Sequence, residues 1–196
     1  MPKKLNFGNS GASSGASFRE VNKEVYYATG KIIKLGKSDI ELFREKAGNN
    51  APKKIRLCTH RDMHNKLHEM FIMFGKGAYV RPHKHPGKSI SYHIVEGAAD
   101  IVLYNESGKI ADVIKMGGYL SGSIFYFRID EPFYYMPIPR SDMLVFHEIT
   151  NGPFDNDTVF APWAPAENDK SAVQEFMRYL KITIKSFLAK NEENIF

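Results

Sequence analysis

From residue 54 onward the chain alternates apolar and polar positions in short blocks. They cover residues 54–60, 67–74, 78–83, 89–95, 99–104, 109–115, 123–130, 133–137 and 143–150, and are rich in Val, Ile, Phe and Tyr. A period of two sends alternate side chains to opposite faces of an extended chain. Between the blocks stand Gly75-Lys76-Gly77, Glu96-Gly97, Asn105-Glu106-Ser107-Gly108, Gly117-Gly118 and Pro137-Ile138-Pro139-Arg140-Ser141-Asp142, which favour turns. Short strands at this spacing predict a β-sandwich or barrel. Residues 110–114 read either as a core strand or as part of a hairpin around 105–108. No internal repeat is visible.

The period changes at both ends. Ser38-Asp39-Ile40-Glu41 has the spacing of a capping box and is followed by Leu42, Phe43 and Ala47, so a short helix is predicted over 38–48. Gly48-Asn49-Asn50-Ala51-Pro52 stops it. After residue 168, Val173, Phe176, Met177, Leu180, Ile184, Phe187 and Leu188 recur at three- and four-residue steps, with Lys181, Lys185 and Lys190 off the stripe. That pattern predicts an amphipathic helix laid on the domain or on a partner. Residues 8–17 are small and polar, without periodicity, and read as a linker or extended arm. The expected organisation is a flexible basic leader over 1–37, a mainly β body over 38–166 and a helical tail over 167–196.

Composition narrows the class. A chain of 196 residues with 43% hydrophobic residues suits one domain with short appendages, and needs neither disulfide nor structural metal to hold a core. A single cysteine, Cys58, excludes an intramolecular disulfide and a thiolate zinc site; it reads as buried and inert. No run approaches the ~18 apolar residues of a membrane span, and the polar start Met-Pro-Lys-Lys lacks a signal core, so the cytoplasm is expected. The net charge of +5 is uneven: residues 1–60 hold 12 Lys/Arg against 5 Asp/Glu, the remainder 15 against 17. The excess belongs to the leader, and without Arg-rich stripes or aromatic–basic interleaving no nucleic-acid partner is expected.

The candidate chemistry lies in Tyr79-Val80-Arg81-Pro82-His83-Lys84-His85-Pro86. Residues two apart on a strand share a face at about 6.6 Å, so His83 and His85 can converge on one divalent ion, Fe, Zn, Ni or Mn. Gly77, five residues ahead of His83, and Gly97 complete a wider pattern. It resembles the first motif of the cupin superfamily: Gly, five residues, His-x-His, then Glu, six residues, Gly. With Arg56-Leu57-Cys58-Thr59-His60, Val95-Glu96-Gly97, Glu148-Ile149-Thr150-Asn151-Gly152-Pro153-Phe154 and Ala161-Pro162-Trp163-Ala164-Pro165, the resemblance is closer to WbuC-type cupins of lipopolysaccharide O-antigen gene clusters. It implies a cupin-type β-barrel or jelly roll and a role in surface-polysaccharide biosynthesis.

Two metal-ligand positions of the cupin pattern are altered. Ile90 stands where the motif has Glu, and Tyr135, with Tyr134 beside it, falls where the second motif has its histidine. His83 and His85 remain as metal ligands, and two imidazoles hold an ion weakly. Oxygenase chemistry, which needs a firmly held iron, is disfavoured. The surviving groups suit sugar isomerisation or epimerisation: His83 or His85 as base next to a carbonyl, Tyr135 as acid returning a proton to the opposite face. Arg81, Lys84, Tyr92, Tyr134 and Glu148 are expected to bind substrate, a sugar or nucleotide-sugar. Glu148 reads equally as a carboxylate paired with Arg81 or Arg128. The tyrosines and phenylalanines at 119–135 either fill a core or stack on a sugar ring. Trp163 is expected to plug a sheet edge or a barrel end, and His93 to face outward. The second functional class is a non-catalytic sugar- or ligand-binding cupin. A homodimer is expected.

Overall fold

A computed structural model describes residues 4–5, 16–131, 133–155 and 157–193 of the chain. Its strands are β1 (Lys4–Leu5), β2 (Ser17–Glu20), β3 (Val25–Thr29), β4 (Lys54–Cys58), β5 (Leu67–Gly75), β6 (His83–Lys84) and β7 (Ile90–Glu96). They continue with β8 (Ala98–Tyr104), β9 (Ile110–Gly117), β10 (Tyr126–Ile129), β11 (Tyr134–Pro139), β12 (Met143–Asn151) and β13 (Val159–Phe160). Helix α1 spans Lys37–Asn49 and α2 spans Lys170–Glu193.

The strands form two sheets, ordered β1-β2-β3-β4-β5-β12-β7-β10 and β13-β6-β11-β8-β9. Alternation along each strand explains the packing. On β5, Met70, Ile72 and Phe74 face the second sheet, while Phe71 and Met73 turn toward α1. On β11, Tyr135 faces the first sheet, while Tyr134, Met136 and Ile138 face α2. The result is a double-stranded β-helix of cupin type: two facing sheets not closed into a barrel, with a helix on each outer surface.

Gly97 has φ +85°, and a Cβ there would lie 2.3 Å from the Met143 carbonyl oxygen. The tight β7–β8 turn therefore requires glycine. Residues 105–108 turn β8 into β9, a full strand of the second sheet.

Three local expectations change. Residues 17–29, assigned to the leader, form the β2–β3 hairpin, and β3 runs parallel to β4. Phe18, Tyr26 and Ala28 are buried against Phe43, contacts that no local period signals. The remainder of the expected linker, up to residue 15, lies outside the described residues. Helix α1 starts at Lys37: Asp39 accepts a hydrogen bond from the Gly36 amide at 2.7 Å, and Ser38 Oγ is buried without a partner. Residues 78–82 carry no strand, and pairing begins only at His83.

Helix α2 follows Asp169, whose carboxylate caps the Ala172 amide at 3.1 Å. It packs on its own domain through Leu180 and Ile184. Trp163 lies between that helix and the sheet, with ring centroids 4.9 Å from Tyr104, 5.9 Å from Tyr134 and 6.4 Å from Phe176. Among the described residues no helix is long and apolar enough to cross a membrane.

Candidate functional site in the lumen

The space between the sheets is a cavity of about 500 Å³, within the range of small-molecule sites. β6 places His83 and His85 on its wall and sends Lys84 outward, where its ammonium pairs with Glu106 and sits over the Tyr134 ring. Register pairs Tyr135 with His83 across β11 and β6. Their ring centroids are 4.6 Å apart, and those of His83 and His85 5.2 Å. On the facing sheet Tyr92 of β7 and Glu148 of β12 pair in register and line the lumen or its floor.

The imidazole of His83 is oriented by its own backbone. Nδ1 lies 2.8 Å from the Arg81 carbonyl oxygen, which can only accept, so Nδ1 carries the proton and Nε2 holds the lone pair. Burial pushes the ring's pKa down to about 4. His83 is neutral at pH 7, a base with an open nitrogen. His85 is also lowered by burial, opposed by Asp157, whose Oδ1 is 3.8 Å from His85 Nδ1.

The hydroxyls behave oppositely. Burial raises Tyr135 and Tyr92 well above the ordinary phenol value, so both stay protonated and can donate. Tyr135 is 1% exposed, and its Oη makes no hydrogen bond of ordinary geometry, with the Tyr92 hydroxyl near enough to act on it. A buried hydroxyl in that condition costs stability unless a ligand engages it. Burial also raises Glu148, opposed by Arg56 and by the Tyr92 hydroxyl.

The structure thus gathers His83, His85, Tyr135, Tyr92 and Glu148. It separates them from Lys84 and Tyr134, on the outer face of the second sheet, and from Arg81, whose guanidinium donates to the Ala161 carbonyl at 2.7 Å and lies over Phe160. The arginine acting on Glu148 is Arg56, not Arg81 or Arg128; Arg128 binds Asp130 at 2.8 Å. His93 is exposed and packs on Phe125, and Cys58 lies on the lumen wall with its thiol pushed up to about 11 by burial. Sequence reasoning missed Lys54, Arg56, His68, Lys88 and Asp157 as parts of this site, while His60, a candidate further ligand from the sequence, does line the lumen. Alternation on β4 carried a signal for Lys54 and Arg56, which share a face with Cys58. Asp157 lies in a loop and had none.

Tyr135 packs directly on His83, leaving no room for a sugar ring between them. The two therefore reach a ligand from one side, and proton return to the opposite face is not open to this pair.

The donor set does not fit a firmly held metal. Among the described residues no group of three or more His, Cys, Asp or Glu side chains is arranged to hold an ion. Ile90 is buried in the core, and Tyr135, with its raised pKa, is a poor source of phenolate.

A family model described as a domain of unknown function, DUF6016, matches residues 35–116. No curated protein matches the chain. Among solved structures, protein SO0799 of Shewanella oneidensis superposes with a TM-score of 0.51 at 13% identity, covering 72% of this chain and 96% of that one. A Klebsiella pneumoniae protein with a double-stranded β-helix domain gives 0.49 at 11% identity, over 68% and 98%. A cupin-superfamily sugar phosphate isomerase of Silicibacter pomeroyi gives 0.36 at 15% identity, over 45% and 52%. The last two are described as a double-stranded β-helix protein and a member of the cupin superfamily. Likeness at this level concerns the fold alone.

Proposed function

We propose that the protein is a proton-transferring cupin that isomerises a sugar in the lumen, with His83 as base and Tyr135 as hydrogen-bond donor. The observation that carries this reading is a neutral, backbone-oriented imidazole on the wall of a 500 Å³ cavity, packed directly against the ring of the buried Tyr135. His83 Nε2 takes the proton from the carbon next to the sugar carbonyl. Tyr135 Oη donates to that carbonyl oxygen, where negative charge develops. The imidazolium so formed returns the proton to the former carbonyl carbon on the same face, while the hydroxyl proton of the other carbon passes across the cis-enediolate to the former carbonyl oxygen. Moving a carbonyl to the adjacent carbon, as an aldose–ketose shift in a free or phosphorylated sugar or as a ketone shift on the ring of a linked one, needs only that one-sided transfer, and so fits the geometry better than epimerisation. Tyr92 and Glu148 stand ready to bind sugar hydroxyls.

The motif resemblance supports a place in surface-polysaccharide biosynthesis, with a nucleotide-linked or lipid-linked sugar as substrate, in the cytoplasm. Homodimerisation belongs to the same proposal. Exposed Leu120, Phe125 and Tyr126 beside the β10 edge support it, and light scattering checks it. The loss of two metal-ligand positions, to Ile90 and Tyr135, favours a second reading in which the lumen binds a sugar without turning it over. Solvent deuterium distinguishes them. Incubation with a panel of sugars and sugar derivatives in deuterium oxide should place deuterium next to a carbonyl. Binding without incorporation would leave the non-catalytic reading.

A further inference from the structure

We propose that the lumen contains an anion subsite centred on Arg56, which seats a phosphate or carboxylate group of the ligand while its sugar portion reaches His83. This deepens the reading of the lumen as a sugar site and rests on it. Lys54, Arg56 and Lys88 are the lysines and arginines lining the cavity. Lys54 is held by Glu167 at 2.5 Å, and Lys88 by Asp157 at 2.7 Å and the Pro153 carbonyl at 2.6 Å. Among the described residues the Arg56 guanidinium has neither a hydrogen bond nor an ion pair.

Arg56 is exposed, and the space it is exposed to includes the lumen. Alternation on β4 puts Ile55 and Leu57 against α1 and Arg56 on the lumen side with Cys58. From there its charge acts on His83 and His85 of β6, Tyr135 of β11 and Glu148 of β12. Those residues lie on both sheets, so the guanidinium faces the space between them. Apolar side chains of Val25, Ile72, Val80 and Phe160 also line this space. They leave the planar fork of donors to water or to a ligand, and that fork matches the paired oxygens of phosphate and carboxylate.

Two further groups await partners. Tyr135 Oη and Thr150 Oγ1 are buried without a hydrogen bond of ordinary geometry, and Thr150 lies two residues beyond Glu148 on the same strand face. Glu148 is the carboxylate that acts on Arg56, and burial biases it toward its neutral form. Glu24 and Glu167 also line the cavity, Glu167 paired with Lys54, so a ligand oxyanion would supply the close partner that Arg56 lacks.

Calorimetric titration of the whole chain with inorganic phosphate and with acetate, at constant ionic strength, tests the subsite. Saturable binding of either anion is expected. Arg56→Gln should weaken it by about ten- to hundredfold, and Arg56→Lys by less, since lysine keeps the charge and loses the fork. Lys109→Gln, on an exposed turn, should leave it unchanged. Absence of saturable binding to the parent protein, or equal binding by Arg56→Gln with an unchanged circular dichroism spectrum, overturns the proposal. The two readings fail separately. His83-dependent deuterium incorporation into neutral and phosphorylated sugars alike, indifferent to Arg56→Gln, overturns the subsite and leaves proton transfer standing. Arg56-dependent phosphate binding without incorporation into any sugar supports the subsite and removes the isomerase.

Discussion

Replacing His83 by Gln removes one titration from the folded protein and leaves a side chain that can still donate to the Arg81 carbonyl. In the parent chain burial lowers the ring from its ordinary 6.5 to about 4. Between those values the unfolded chain holds a proton on this residue and the folded chain does not. The stabilisation is therefore fully present above pH 6.5 and is lost as the pH falls to 4. At about 1.36 kcal/mol per pH unit the whole span amounts to about 3 kcal/mol, with about 2 kcal/mol gone by pH 5. His60, His68, His85 and His147 are also lowered by burial, and their contributions remain in both proteins. The difference between parent and variant isolates His83. Urea unfolding from pH 7.5 to 4, followed by the fluorescence of the single tryptophan in the presence of a chelator, measures it. The stability difference between the two proteins should change by about 3 kcal/mol across the range. Parallel curves would refute the placement of a neutral, dehydrated imidazole in the lumen.

Other substitutions probe other parts of the account. Tyr135→Phe deletes a buried hydroxyl without a hydrogen bond of ordinary geometry and should leave stability unchanged or raise it by about 1 kcal/mol, while abolishing deuterium incorporation; a loss above about 1 kcal/mol would show that the hydroxyl is satisfied within the protein. Trp163→Ala empties the contact between α2 and the second sheet and should cost about 3–5 kcal/mol in chemical unfolding. Purified protein should contain well under one equivalent of transition metal, and chelator should not shift its melting temperature, because two imidazoles alone hold an ion weakly. Stoichiometric metal that disappears in His83→Gln would reveal further ligands.

Strands β4 and β7 were legible because one face is buried and the other is not, leaving a period of two, whereas β5, β8, β11 and β12, buried on both faces over much of their length, were legible as apolar runs bounded by turn residues. The helical tail was legible from its stripe. The β2–β3 hairpin was not: its apolar runs are only one to four residues long, and the burial of Phe18, Tyr26 and Ala28 depends on α1, which follows in the chain. Residues 78–82 looked like a strand by composition, yet pairing starts only at His83. The histidine pair and Tyr135 could be read from motif spacing, and the register of β6 with β11 brings them together. Arg56 and Lys88 were given no role from the sequence, and both lie on the cavity wall. Arg81 and Lys84 drew attention by proximity to the motif, but their charged ends point to Ala161 and Glu106, outside the lumen.

The central claim is one-sided proton transfer by His83 with Tyr135, and mass-spectrometric deuterium incorporation tests it most directly. Parent protein incubated in deuterium oxide with a panel of sugars, sugar phosphates and nucleotide-sugars should label at least one of them next to its carbonyl. His83→Gln and Tyr135→Phe, each folded by circular dichroism, should lose the label. Incorporation that survives in His83→Gln, or that is absent from a sugar shown to bind the parent, would contradict it.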